Sequence, residues 1–138
     1  MEQVELLNNR DVGAMPSGGY VYYEGTRYKV KRAAISASSN GNNTIIAAVP
    51  GRRIVVLQAW LVSAGTVTTT WQDGATGTGP LGSLTGAAAL VANTGYVLGF
   101  TPLGWFETSP STLLNLSLSA GVGVAGNIVY IEALTEQR

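Results

Sequence analysis

The feature that most constrains this chain is its punctuation. From residue 43 onward, short β-favouring runs are separated by turn signals: Pro50-Gly51, Gly65, Asp73-Gly74 with the Gly/Thr run to Gly79-Pro80, Asn93-Thr94-Gly95, Pro102-Leu103-Gly104, Ser109-Pro110-Ser111 and Ala120-Gly121. A chain interrupted this often has no room for a helix of ordinary length, and no segment sustains a helical apolar period. Strands are therefore predicted near 43–49, 53–64, 66–73, 81–91, 96–100, 112–119 and 122–134, with two more short strands around Glu24-Gly25-Thr26. The Ala-rich stretch from Gly86 to Ala92 can form a short helical turn in place of its strand, because alanine favours helix over sheet. Seven or eight antiparallel strands in about 100 residues fit an all-β fold, an antiparallel β-sandwich of the jelly-roll kind.

Side-chain order within the strands predicts which faces are covered. Leu114, Leu116 and Leu118 alternate with Asn115, Ser117 and Ser119, so one face of that strand is buried. In 53–64, Ile54, Val56, Gln58 and Trp60 alternate with Val55, Leu57, Ala59 and Leu61. A strand that is largely apolar on both faces is central and covered twice, once by the opposing sheet and once by a further layer such as a neighbouring subunit. Trp60 is accordingly expected in the core. Trp71 and Trp105, near the ends of their segments, are expected to reach a surface and anchor an interface.

Residues 1–19 read as an N-terminal arm ahead of a β-sandwich domain spanning 20–138. In the arm, Val4, Leu6, Leu7, Val12 and Met15 are scattered among Asn, Gly and Pro with neither helical nor sustained strand spacing. Such a segment is expected to gain order on a partner subunit, with Val4, Leu6 and Leu7 as anchors. Just beyond it, Arg27, Lys29 and Lys31 alternate with Tyr28 and Val30, and Arg32 follows. This basic stripe suits an acidic protein surface or phosphates, and serves equally well to guard a strand edge against aggregation.

Several kinds of chemistry are excluded by composition. The chain has no cysteine and no histidine, which removes disulfides, thiolate catalysis, the usual transition-metal ligands and the commonest general base. Two G-x-G-x-x-G patterns occur, Gly77 to Gly82 and Gly121 to Gly126, but neither opens a helix that would hold a pyrophosphate, so both are read as turns. No cofactor and no metal are expected. Asp73 and Glu107 are the conceivable acid pair of a sugar-cleaving enzyme, yet both are read as solvated loop carboxylates, and the chain as non-catalytic.

Charged residues make up only 12% of the chain, against about 25% in an ordinary soluble domain. Residues 54–134 carry just Asp73, Glu107 and Glu132, so part of the surface is expected to be covered by partners, including a homo-oligomer with a dimer favoured over a trimer. Formal charge is zero, and few aromatics interleave with the basic residues, so specific nucleic-acid binding is not expected. The acidic start Met1-Glu2-Gln3-Val4-Glu5 shows no signal peptide, which implies synthesis in a cytoplasm. No apolar run approaches the ~18 residues of a membrane span, and no membrane association is expected.

The order of several blocks resembles the jelly-roll decoration, or cement, proteins of tailed bacteriophages. The blocks are Ala47 to Leu57 around Pro50-Gly51, Leu61 to Val67, the Gly-rich stretch to Gly79-Pro80-Leu81, Pro102 to Thr108 and Leu114 to Ala120. They span about two-thirds of the chain, roughly residues 44 to 134, and leave the arm unmatched. The resemblance implies a structural virion protein on the outer surface of the capsid that bridges major capsid protein subunits, and it supplies no catalytic residues. The alternative within the same architecture is a carbohydrate- or receptor-binding tip domain of a tail fibre.

Overall fold

The computed structural model describes residues 19–135. The arm, with Val4, Leu6 and Leu7, lies outside the described residues except for Gly19. The elements are β1 (Tyr20–Tyr23), β2 (Thr26–Lys29), β3 (Lys31–Ala37), β4 (Thr44–Ile46), β5 (Arg52–Ser63), β6 (Val67–Asp73), a single 3-10 turn (Ala75–Gly77), β7 (Ala88–Leu90), β8 (Gly95–Leu98), β9 (Phe106–Glu107), β10 (Leu114–Leu118) and β11 (Val124–Leu134). Among the described residues there is no α-helix.

All pairings are antiparallel. In the five-stranded sheet β3 pairs with β11 and β11 with β5, while the far edge of β5 is shared by β8 and β9. The four-stranded sheet runs β4-β10-β6-β7, and β1 and β2 form a separate hairpin. Setting aside the hairpin and short β9, the eight remaining strands alternate between the sheets as first-eighth-third-sixth and second-seventh-fourth-fifth. That is the double Greek key of a jelly roll. Its interior is one cluster in which Leu114, Leu116, Leu118 and Trp71 of one sheet meet Ile35, Ile54, Leu61 and Ile128 of the other. Trp71 also stacks on Phe106 at 5.7 Å between ring centroids, and its indole N–H donates to the Tyr96 hydroxyl at 3.1 Å.

Local chemistry accounts for the strand ends. Pro50 and Gly51 sit at the centre of a turn closed by a bond from the Arg52 N–H to the Val49 carbonyl, with Gly51 at φ 72°, where a side chain would be strained. At Gly126 and Gly95, on either side of β5, an added Cβ would run into the Trp60 and Leu61 carbonyls respectively. Glycine at these two positions lets the neighbouring strands close on β5.

The structure departs from the sequence expectations in several places. β3 was not foreseen: Lys31-Arg32-Ala33-Ala34 carries a weak strand signal, and seven-residue pairing with β11 supplies what propensity does not. The strand expected at 81–91 contracts to β7 plus a bridge between Ser83 and Gln72, and 86–92 holds no helical turn.

Two tryptophans exchange roles: Trp71 is buried, at 1% exposure, while Trp60 is 44% exposed. Trp71 therefore cannot anchor an interface from the folded domain. The cause at Trp60 is a β-bulge, since β11 pairs Val129 with Gln58 but Tyr130 with Val56, leaving Leu57 without a partner. Ile54 and Val56 point into the sandwich before the bulge, and Ala59 and Leu61 after it. Val55, Leu57, Gln58 and Trp60 face outward.

Candidate functional site

The outer face of the five-stranded sheet is treated differently along its length. Over its first half, the hairpin β1–β2 lays Val21, Tyr28 and, just after it, Val30 onto Val55, Leu57, Ile131 and Ala133, forming a second buried cluster. Polar groups fasten this cover. The Arg53 guanidinium reaches Glu24 at 2.8 Å and Glu107 at 3.1 Å, and the Tyr23 hydroxyl donates to the same Glu107 oxygen at 2.9 Å. Burial first, and then the adjoining Glu107 carboxylate, push the Tyr23 hydroxyl up to about 12. The Leu134 N–H donates to the Tyr28 hydroxyl at 3.0 Å.

Over the second half there is no such cover among the described residues. Trp60 and Val62 of β5 are exposed, and Val97 of β8, the cross-strand partner of Trp60, is 73% exposed. Beside them the segment from Gly99 to Trp105 follows the edge of β5, held by bonds from the Thr101 and Trp105 N–H groups to the Leu57 and Val56 carbonyls. It presents Phe100, Leu103 at 83% exposure and Trp105. The Trp105 indole N–H donates to the Gly99 carbonyl at 2.6 Å, which fixes the indole on the surface as the sequence predicts. The result is an apolar ridge, Val97, Leu103 and Trp105. Next to it lies a groove of about 540 Å³ lined by Val30, Arg32, Gln58, Trp60, Phe100, Asn127 and Val129.

The four basic residues do not form one stripe. Arg27 and Lys29 are exposed on the hairpin's outward side, Arg27 over the Tyr20 ring at 4.5 Å. Lys31 pairs with Glu132 at 3.1 Å, and Arg32, beside Val129 on β3, borders the groove. The expected alternation holds from 27 to 31, with Tyr28 and Val30 buried and Arg27, Lys29 and Lys31 exposed, but Val30 ends the hairpin and a new strand starts at Lys31, so the basic residues are divided between two elements.

The two carboxylates are not the solvated loop groups expected from sequence, and they do not form an acid pair. Asp73 is fully buried; one oxygen accepts the Ser109 N–H at 2.8 Å, the other the Ser109 hydroxyl at 2.8 Å and the Leu81 N–H at 2.9 Å. It ties the 74–82 loop to the 108–112 turn. Glu107, whose backbone pairs with Val55, belongs to the clasp on the outer face. Among the described residues no group of three or more His, Cys, Asp or Glu could hold a metal ion, and no helix is long and apolar enough to cross a membrane.

Sequence reasoning also missed a buried amide network. The Asn115 side chain donates to Asn42 and Gln72 at 2.9 Å each and accepts the Asn43 N–H at 2.8 Å, which lets a polar residue sit at zero exposure beside the leucine row. Asparagine spacing gives no sign of this. The partners come from two other segments of the fold.

No family model and no curated protein matches the chain. Among solved structures it is similar to a chain of a cyanophage Pam1 capsid asymmetric unit, with 16% identity and a TM-score of 0.40 over 75% of this chain and 83% of that one. That overlap is too loose to transfer a fold or a role.

Proposed function

We propose that this chain is a structural virion protein that decorates a tailed-phage capsid and stabilises it by bridging major capsid protein subunits. The observation that carries the reading is the uncovered ridge of Val97, Leu103 and Trp105 along the edge of β5, three large apolar side chains held outward by backbone bonds. Large exposed apolar side chains grouped along one strand edge are the mark of a protein–protein contact, and a fixed indole is a good anchor for one. The jelly-roll order of the strands and the block order of the sequence agree with the reading. The role is non-catalytic: Asp73 is enclosed by its own hydrogen bonds, and Glu107 is engaged by Arg53 and Tyr23.

Self-association has its own surface in this proposal. Tyr20 and Tyr22 are 53% and 70% exposed on the outward side of the hairpin and suit a dimer contact. A strict monomer in light scattering at micromolar concentration would remove the dimer from the proposal.

The capsid role is tested by co-sedimentation with purified expanded capsids. Wild-type protein should pellet with the shells. Leu103→Asp and Val97→Asp should each weaken binding by roughly tenfold or more, about 1.4 kcal/mol, while leaving the melting temperature within a degree or two. Equal binding by both variants would show that the ridge is not the contact, and no binding by wild-type protein would remove the capsid reading.

A further inference from the structure

The groove beside the ridge has a composition that a protein contact does not call for. Its floor is apolar, from Val30 and Val129, and its aromatic walls are Trp60 and Phe100, 44% and 46% exposed. Two side-chain amides, Gln58 and Asn127, stand half-buried among them. Neither amide has a hydrogen-bond partner among the described residues. Pairing of Asn127 with Trp60 and of Val129 with Gln58 places the amides on adjacent strands of one outward face.

We infer that this groove is a carbohydrate-binding site, with Trp60 as the stacking platform and Gln58 and Asn127 as the groups that read hydroxyls. A pyranose has one face of C–H bonds, which suits an indole plane, and a rim of hydroxyls that both donate and accept. Each primary amide offers both functions from one end, matching a pair of neighbouring hydroxyls. The volume lies within the roughly 300–1,000 Å³ of small-ligand sites. Among the described residues no carboxylate lines the groove, so a cationic ligand gains nothing from them. Among the described residues Arg32 is the one cation in the lining, too few to follow a phosphate backbone, which counts against single-stranded nucleic acid. A lipid chain would leave both amides without partners.

The test uses the full chain on an array of gluco-, galacto-, manno- and N-acetylhexosamine oligosaccharides. The strongest responder is then titrated in solution by tryptophan fluorescence and calorimetry. Binding is expected, with Trp60→Ala and Asn127→Leu each weakening it by roughly tenfold or more and Trp60→Phe, which keeps a ring, by less. Circular dichroism and melting curves check that the variants fold. Leu81→Ala, an exposed residue outside both the groove and the ridge, should bind as wild type.

Three results would overturn the inference: no response to any sugar, a response indifferent to both Trp60→Ala and Asn127→Leu, or preference for single-stranded oligonucleotides run in parallel. The inference does not rest on the capsid reading. Sugar binding without capsid binding removes that reading alone, and capsid binding without sugar binding removes this one alone.

Discussion

Two halves of one sheet face have been given opposite treatment. Where β5 runs from Val55 to Leu57 the chain covers itself, spending a hairpin and an Arg53-Glu24-Glu107-Tyr23 clasp to keep Val55 and Leu57, with Ile131 and Ala133 beside them, from water. From Gln58 to Val62, Trp60 and Val62 stay exposed with two unpaired amides near them. The four-stranded sheet needs neither solution, because its outer face carries Thr68, Thr70, Gln72 and Ser117, polar groups that water or, at Gln72, the Asn115 amide can satisfy. Apolar surface that a chain does not cover itself is surface available to something else. Within one strand, one half is thus covered by the hairpin, and the other is left uncovered among the described residues.

The sharpest way to break this contrast is to weaken the covered half. Leu57→Ala removes a side chain at zero exposure and should cost about 2–5 kcal/mol in urea unfolding, since the hairpin can only partly collapse onto the gap. A loss under about 0.5 kcal/mol, the range of ordinary surface changes, would mean that the hairpin is not a true cover.

Next in size is Asp73→Asn, which lies outside both halves. An amide must set a donor against the Ser109 or Leu81 N–H, at a cost of about 1–3 kcal/mol. Because Asp73 and the clasp share no partner, the double change with Tyr23→Phe should be additive to within about 0.5 kcal/mol.

The clasp gives a smaller effect with a pH signature. Tyr23→Phe should cost about 1 kcal/mol at neutral pH, the worth of an ordinary hydrogen bond. Tyr23 holds its proton in the folded state up to about 12, against 10.0 for the free side chain. Between those values the folded protein binds more protons than the unfolded one. Its contribution is therefore complete below pH 10 and is lost as pH rises towards 12. Melting curves at pH 8 and pH 11 should show wild-type protein losing more stability than Tyr23→Phe; parallel losses would place the tyrosine outside the clasp.

The smallest effect on stability belongs to the open half. Trp60→Ser should change the unfolding free energy by about 0.5 kcal/mol or less, as for a surface residue. A loss several times larger would show Trp60 to be structural, and would erase the difference between the halves.

The jelly roll was legible because turn residues mark strand ends locally, as at Pro50-Gly51, and because alternation in Leu114, Leu116 and Leu118 survives into the fold unchanged. Trp105 was legible for a related reason, since it lies between turn signals and ends on the surface. Asp73 was not legible. Its three donors come from segments eight and thirty-six residues away, and nothing in the neighbouring sequence announces them. Gln58 and Asn127 were missed because a groove across two strands is a property of pairing register. β3 was missed because its small residues are strand-like only in the company of β11.

The bulge at Leu57 can be put in terms of reading frame. A strand is read two residues at a time, and Leu57 is one extra letter set aside by the pairing, so the frame on both sides stays aligned with the interior. Deleting Leu57 would leave the other side chains of β5 on the faces they now occupy. Deleting Ala59 instead would let the bulge close from the other side, keeping Trp60 and Val62 outward but turning Gln58 inward into the place of Ala59. A lineage could therefore gain or lose the letter at 57 without moving the groove, whereas one lost letter two places further on would take an amide out of the groove and bury it in the core.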